Sequence, residues 1–327
     1  MRIKPVPDIP ESLLEVAALG NLVPFVGAGV SRRAGVASWA DLADRAIDAL
    51  VEGKVMSPLQ RKQLANQTPR LKLSLAEITA RESGISIPYK SILQPPGWSE
   101  NPEGRRIYTG LSSIARQFVT TNYDEWLDVT LPQMGGPSAG AANGGISIPP
   151  RERLYLPEHM DFARFRQSNC VVHLHGSVTD TRNMVLTTSD YIRLYASDRD
   201  RVGGRGENPV LSFLTLLFEL RNVLFIGYGL EELEILEYVI LKSRTRGDQP
   251  KEMKHFILQG FYSVEAELCK ALSKYYSDWG IALIPFSLDD ADWAQLTEVV
   301  DQIASEVPTA QEPALAMRAD MQRLLHG

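Results

Sequence analysis

The chain of 327 residues is 44% hydrophobic and 23% charged, which is typical of a globular protein that can bury a core. Its net charge of −6 argues against a broad nucleic-acid-binding surface. Its two cysteines cannot form a four-cysteine zinc site and argue against a disulfide framework. Neither a secretory leader nor an apolar run of membrane-spanning length is recognisable. We therefore predict a cytoplasmic protein without direct contact to nucleic acid, membrane or metal.

The first part of the chain predicts one buried strand followed by helices. An extended arm and a short amphipathic helix occupy residues 1–20, and the apolar segment VPFV at 23–26 predicts a strand. A glycine turn follows, and apolar residues at helical intervals predict a helix over 40–51. The pattern over 52–106 predicts a helical insertion, which contains an irregular, proline-rich loop at 88–102.

The remainder of the chain alternates strands with helices. Further strands are predicted at 118–121, 170–175, 184–188, 222–226, 255–258 and 281–284. Helices are predicted directly after Asp124, where they include Trp126 and Leu127, and at 211–220, 231–241, 264–276, 290–307 and 313–326. The glycine-rich stretch 135–150 reads as a surface loop. The fold class is thus α/β, a doubly wound, Rossmann-like parallel sheet in a single domain over 1–327, with a carboxy-terminal helical extension at 288–327.

A glycine turn follows the first strand, in the sequence GAGVS at residues 27–31. Glycine at 27 and 29 permits unusual backbone angles and close approach, and the start of a helix favours anionic oxygens. Arg32 stands where a third glycine would complete the dinucleotide-binding pattern. From this segment alone, the turn is either a phosphate-binding loop or a plain tight turn.

Three other predicted strands also end in polar or glycine residues. These segments are TTNYD at 120–124, HLHGS at 173–177 and GYG at 227–229. In a parallel sheet such ends meet at one edge, where ligands bind. His173 and His175 fall on one side of their strand, and we interpret the deeper His173 as a structural residue that orients its neighbours. Singly, Asn122 is a turn residue and His175 a core histidine, but together the four strand ends predict a binding site.

These four segments, in this order, resemble the SIR2-like family over about residues 20–285. They are most similar to the bacterial branch of that family, whose members act as NAD-consuming effectors in phage defence. The resemblance implies the SIR2 fold, with NAD⁺ as the bound substrate and no metal. Classical sirtuins hold a structural zinc with two Cys-x-x-Cys pairs, and this chain has neither pair.

The resemblance also implies roles for individual residues. The nucleotide-binding residues would be Gly27, Ala28, Gly29, Ser31, Thr121, Gly227, Tyr228 and Gly229. Within this set, the residues of the first turn would hold the pyrophosphate, and the turn at 227–229 would border the adenosine end. In the catalytic set, Asn122 would position a water or the nicotinamide ribose, and Asp124 would support that loop. His175 would bond the ribose hydroxyls and, by titrating near neutrality, serve as general base.

Three functions remain open from the sequence. The resemblance favours hydrolysis of NAD⁺ to nicotinamide and ADP-ribose. An NAD-dependent protein deacylase is the first alternative, although both the zinc pairs and the proline-containing segment of classical sirtuins after the glycine turn are missing. A non-catalytic nucleotide-binding scaffold is the second.

The resemblance extends to assembly. Such family members are parts of regulated, homo-oligomeric complexes, with partners such as a HerA-type ATPase or an Argonaute-like protein. We expect the terminal segments, 1–20 and 288–327, either to make assembly contacts or to cover the sheet.

Overall fold

The computed structural model describes residues 3–129, 151–195, 208–228 and 254–307. Within them one sheet contains strands β1 Leu22–Val26, β2 Phe118–Thr120, β3 Glu152–Leu154, β4 Cys170–His173, β5 Asn222–Ile226, β6 His255–Phe261 and β7 Ile281–Ser287. Their order across the sheet is β3-β4-β2-β1-β5-β6-β7, and all neighbouring strands are parallel.

The α-helices of the described segments lie between and beyond these strands. They are α1 Glu11–Ala18, α2 Ala28–Arg33, α3 Trp39–Glu52, α4 Pro58–Gln63, α5 Pro69–Ser83, α6 Tyr89–Leu93, α7 Pro102–Ile114, α8 Phe162–Gln167, α9 Thr188–Tyr195, α10 Pro209–Leu220, α11 Ala266–Asp278 and α12 Gln295–Glu306. In these same segments, none of the helices combines the length and the apolar character that crossing a bilayer requires.

The strands have apolar side chains on both faces, because helices cover both sides of the sheet. Val26 in β1 packs into one core with residues of α3, α7 and α12, whereas Phe25 packs into a second core with residues of α8 and α10. Burial on both faces is what all-parallel sheets require. The predicted doubly wound parallel sheet is confirmed.

β1 lies at the centre of the sheet, between β2 and β5. The chain continues from β1 to the β2 side and later returns to the β5 side, so the strand order reverses next to β1. A reversal of this kind opens a crevice at the carboxyl ends of the strands. The turn after β1 therefore faces the ends of both neighbouring strands.

The segment between β1 and β2 is helical, with α5 packed against α3. Ser38 begins α3 with a capping box, in which its hydroxyl accepts from the Asp41 N–H and the Asp41 carboxylate accepts in return. The proline-rich stretch contains the short α6, and Trp98 packs edge-on against Trp126 with ring centroids 5.0 Å apart. An additional helix, α2, begins immediately after Gly27, before the helix that the sequence predicted.

Two predicted elements are wrong. The helix after Asp124 is absent through Val129, where the chain forms turns. Asp124 Oδ1 accepts from the Trp126 N–H at 3.2 Å, and the Arg151 guanidinium donates to the Leu127 carbonyl at 2.9 Å, so side chains take the place of helical hydrogen bonds.

The strand at 184–188 is also absent, because that segment does not join the sheet. Its backbone instead bonds to the turn after β4 and to a side chain. The Val185 N–H donates to the His175 carbonyl at 2.8 Å, and the Tyr123 hydroxyl donates to the Val185 carbonyl at 2.7 Å.

Both ends of the described chain pack on the sheet. Ile3 is buried with Phe261 and Cys269, and the Ser287 N–H at the end of β7 donates to the Lys4 carbonyl at 2.8 Å. α12 packs against α7, where Arg106 forms an ion pair with Asp301. The predicted loop at 135–150, the predicted helices at 231–241 and 313–326, and Gly229 lie outside the described residues.

Candidate active site

A cavity of about 290 Å³ opens at the carboxyl ends of β1, β2 and β4. The predicted site residues that line it are Ala28, Ser31, Thr121, Asn122, Asp124, His175 and Tyr228. Its size is near the lower end of the range for small-molecule sites, which begins at about 300 Å³. Residues that are up to two hundred positions apart in the sequence thus line one cavity.

Gly27 and Gly29 stand behind this lining and let two turns touch. Their N–H groups donate to the carbonyls of Ile226 and Gly227, at 2.8 and 2.9 Å. A Cβ at Gly27 would lie 2.6 Å from the Gly227 carbonyl oxygen, and one at Gly29 would lie 2.9 Å from the Gly227 Cα. Gly227 itself has a φ of 71°, in the left-handed region. From the first turn, the residues that reach the cavity are Ala28 and Ser31.

Asn122 ties the end of β2 to the turn after β1. Its side-chain Nδ2 donates to the Gly27 carbonyl at 2.9 Å, and its N–H donates to Thr120 Oγ1 at 3.0 Å. The Thr120 hydroxyl in turn donates to the Val26 carbonyl at 2.7 Å. The side chain of Asn122 is thereby fixed at the cavity wall before any ligand arrives.

Asp124 is a buried residue of the cavity wall, and its carboxylate bonds to Ser31. The Ser31 hydroxyl donates to Asp124 Oδ2 at 2.6 Å. Burial raises the pKa of Asp124, although the bonds from Ser31 and the Trp126 N–H oppose that shift. Since the Ser31 proton is directed at the carboxylate, the Tyr108 hydroxyl, 3.1 Å from Ser31 Oγ, must be the donor of that pair. Asp124 is therefore a positioning residue for the first turn.

His173 is fully buried below the cavity and carries a proton on both ring nitrogens. Nδ1 lies 2.9 Å from the Asn122 carbonyl and Nε2 lies 3.1 Å from Asp128 Oδ1, and neither oxygen can donate. Burial alone would lower the pKa of His173, but the charge of Asp128 outweighs it and the pKa is raised. Asp128 also pairs with Arg153 at 3.0 Å. These contacts agree with the interpretation of His173 as a structural residue.

His175 differs from His173 in both exposure and charge. It lines the cavity, and its Nε2 lies 3.0 Å from the Tyr195 hydroxyl. Burial, together with the charge of Arg70, lowers the pKa of His175 to about 3. The expectation that His175 titrates near neutrality is therefore wrong, and the imidazole is neutral at pH 7.

The outer wall of the cavity was not predicted from the sequence. It consists of Arg70 from α5 and of Tyr191 and Tyr195 from α9, and Trp39 stacks on Tyr123 beside it with ring centroids 6.0 Å apart. The two tyrosines are four residues apart, so one helix face presents both. This spacing is visible in the sequence, but it does not indicate that the helix face covers the cavity.

The described residues contain no group of three or more His, Cys, Asp or Glu side chains that could hold a metal ion. Asn122, His175 and the turn after β1 offer amide, imidazole and backbone groups, which suit a polar organic ligand with phosphate groups.

Comparison with known proteins gives one finding. The model of the SIR2-like domain matches residues 116–284, from just before β2 into β7. The matched part contains Asn122, Asp124, His175 and Tyr228, while the turn after β1 precedes it. A search of curated proteins found no match. Since the matched residues make up more than half of its length, the chain belongs to the SIR2-like domain family.

Proposed function

We propose that this protein hydrolyses NAD⁺ at the nicotinamide–ribose bond and releases nicotinamide and ADP-ribose. SIR2-like proteins generally use NAD⁺ as a substrate. The observation that supports the proposal most is the convergence of Asn122 and His175 with the turn after β1 on one cavity. Residues of this kind could hold a dinucleotide by its pyrophosphate and present the ribose to the polar strand ends.

Cleavage of the nicotinamide–ribose bond does not require a strong base in its first step. Nicotinamide leaves as a neutral molecule, and the ribose passes through an oxocarbenium-like transition state. Asn122, anchored through Nδ2 to the Gly27 carbonyl, can orient a water with its side-chain oxygen. Water then forms the new bond to the ribose carbon and loses a proton. A water held in position supplies much of the rate enhancement of hydrolysis, because the ribose carbon no longer has to meet a water from bulk solvent in the right orientation.

His175 enters this reaction as a neutral imidazole. A ring nitrogen without a proton can accept a hydrogen bond from a ribose hydroxyl or accept the proton of the attacking water. The Tyr195 hydroxyl occupies the position next to Nε2. Substrate would have to replace this contact, so that the ribose hydroxyl takes over the bond to His175.

The test is incubation of the purified protein with NAD⁺, alone and with an acylated peptide, followed by chromatographic separation of the products. Nicotinamide and ADP-ribose without peptide are the expected result. Nicotinamide only in the presence of the peptide would favour the deacylase. Binding of NAD⁺ without either product would favour the nucleotide-binding scaffold.

We further propose that the activity serves phage defence within an oligomeric assembly that includes a partner such as a HerA-type ATPase. This proposal rests on the resemblance of the four strand-end segments to defence effectors. Light scattering after size-exclusion chromatography tests the oligomer, and a monomer would contradict it. Loss of plaque protection in cells that carry an Asn122→Ala variant would support the role in defence, whereas unchanged protection would contradict it.

A further inference from the structure

Arg70 extends from the first turn of α5 to the mouth of the cavity. Its guanidinium carbon lies 4.3 Å from the centroid of the Tyr191 ring, a cation–π contact between α5 and α9. The two helices are also joined by the Thr188 N–H, which donates to Ser74 Oγ at 3.2 Å. An exposed arginine is thus held in one place, against the ring that lies beside His175.

The charge of Arg70 is not balanced inside the cavity. Of the cavity-lining residues, Asp124 carries the carboxylate, and that carboxylate is engaged by Ser31 and the Trp126 N–H. In the described part of the chain Arg70 forms no ion pair. Its charge nevertheless reaches the site, because it contributes to the lowered pKa of His175. Among the described residues, Arg70 thus brings a positive charge without an ion-pair partner to the lining of the cavity.

A positive, sterically fixed guanidinium at the mouth of a site suits an anionic part of the ligand. Arginine binds phosphate oxygens through two parallel N–H donors, and stacking on an aromatic ring orients that planar group. The ring of Tyr191 lies between Arg70 and His175, with 5.2 Å between the Tyr191 and His175 ring centroids. The guanidinium is thus one ring away from the group that would meet the ribose.

We propose that Arg70 binds a phosphate oxygen of the pyrophosphate in the bound dinucleotide. The helical segment between β1 and β2 would thereby supply a specificity-determining residue, which selects ligands with a phosphate next to the ribose. This inference rests on the proposed use of NAD⁺, and it adds a residue that none of the four strand-end segments contains. The bound anion would also neutralise the charge that now faces His175.

The test compares ligands with and without phosphate in matched variants. Arg70→Gln removes the charge and keeps a side chain of similar length. Arg81→Gln is the control, since Arg81 is an exposed arginine of the same helix that does not line the cavity. Calorimetric titration should show ADP-ribose binding about tenfold weaker in Arg70→Gln, because a hydrogen bond to a charged group is lost at an exposed site. Arg81→Gln should match the parent protein, and Arg70→Lys should fall between them.

Adenosine, which has no phosphate, should bind the parent and Arg70→Gln with equal affinity. Equal ADP-ribose affinity in the two proteins overturns the inference. So does a loss of adenosine binding as large as the loss of ADP-ribose binding, since that indicates general damage to the site. A parent protein that does not bind ADP-ribose overturns it as well. If the parent protein binds ADP-ribose but does not release nicotinamide from NAD⁺, the proposed hydrolysis is contradicted. The comparison of ADP-ribose affinities then still tests whether Arg70 binds a phosphate.

Discussion

The inner and outer walls of the cavity are built differently. On the inner wall, Asn122 and Asp124 bond to the Gly27 carbonyl and to Ser31 at 2.9 and 2.6 Å. On the outer wall, Arg70 and Tyr191 are exposed or partly exposed and meet through ring contacts. A hydrogen bond between His175 and Tyr195 joins the walls. Hydrogen bonds to backbone and side-chain atoms therefore fix the inner wall, whereas ring contacts hold the outer wall.

The two histidines at the carboxyl end of β4, His173 and His175, also differ in what surrounds them. His173 lies against a carboxylate and a carbonyl, which stabilise its charged form, whereas His175 lies among tyrosine rings and near Arg70, which disfavour charge. Burial is common to both, so the neighbours decide the sign of the pKa shift. A buried histidine in a motif therefore reveals its role only once its partners are known.

The largest expected effect concerns catalysis at the inner wall. Asn122→Ala and His175→Ala should each reduce nicotinamide release from NAD⁺ by about 100-fold, because the first removes the group that orients the water and the second removes the proton acceptor. His159→Ala is the control, since His159 lies outside the cavity lining and packs against Tyr155. Circular dichroism should show all three variants folded. Parental rates in both cavity variants would refute the assignment of this pair.

Stability should depend strongly on the ion pair below the inner wall. Asp128→Ala leaves the charged His173 buried without its counter-ion, so the free energy of unfolding should fall by about 4 kcal/mol. Asp8→Ala is the comparison, because Asp8 pairs with Lys4 at the surface and should contribute less than about 1 kcal/mol. Urea unfolding measures both. If the two variants lose the same small amount, His173 is not held by Asp128.

The pH dependence of stability should separate the two histidines. An unfolded His175 binds a proton below about pH 6.5, but in the folded protein it stays neutral down to about pH 3, so stability falls as the pH decreases through that window. In His175→Gln the loss of unfolding free energy between pH 7 and pH 4 should be smaller by about 3 kcal/mol.

His173 has the opposite sign, because its pKa is raised in the folded protein. Its contribution is complete below about pH 6.5 and disappears as the pH rises through the folded pKa. His173→Gln should therefore flatten the alkaline side of the stability curve and leave the acid side as in the parent. Identical pH profiles for the parent and both variants would contradict the two assignments.

A smaller effect should follow from crowding the contact between the turns. Gly29→Ala places a Cβ 2.9 Å from the Gly227 backbone, which cannot move aside freely, so the free energy of unfolding should fall by about 2 kcal/mol. Gly53→Ala is the matched control, because its nearest neighbour is the end of the Ile85 side chain, which can rotate. Equal stability of Gly29→Ala and the parent would show that the turns can separate without cost.

The inner wall was predictable because its residues directly follow apolar strands. Parallel strands bring their carboxyl ends together, so Asn122 and His175 could be placed on one edge from the sequence. The failed helix after Asp124 and the failed strand at 184–188 have a shared cause, namely that polar side chains bond to the backbone there. Local patterns of hydrophobicity carry no information about such bonds.

The outer wall could not be predicted in the same way. Arg70 reaches the cavity because α5 packs against α9, and these helices are separated by more than a hundred residues. The lowered pKa of His175 likewise depends on this distant packing. Helical periodicity identifies α5 and the pair of tyrosines on α9, but it does not say that the two helices meet over a strand end.

The contact between the amino-terminal arm and β7 bears on aggregation. β7 is the last strand of the sheet, and its outer edge offers backbone groups to which a strand of another molecule could pair. The Lys4 carbonyl accepts from Ser287 at this edge, while Ile3 fills the pocket beside Phe261. The arm thus covers the carboxyl end of this edge, and we expect deletion of residues 3–8 to expose that end to intermolecular β-pairing and to leave the cavity beside β1, β2 and β4 intact.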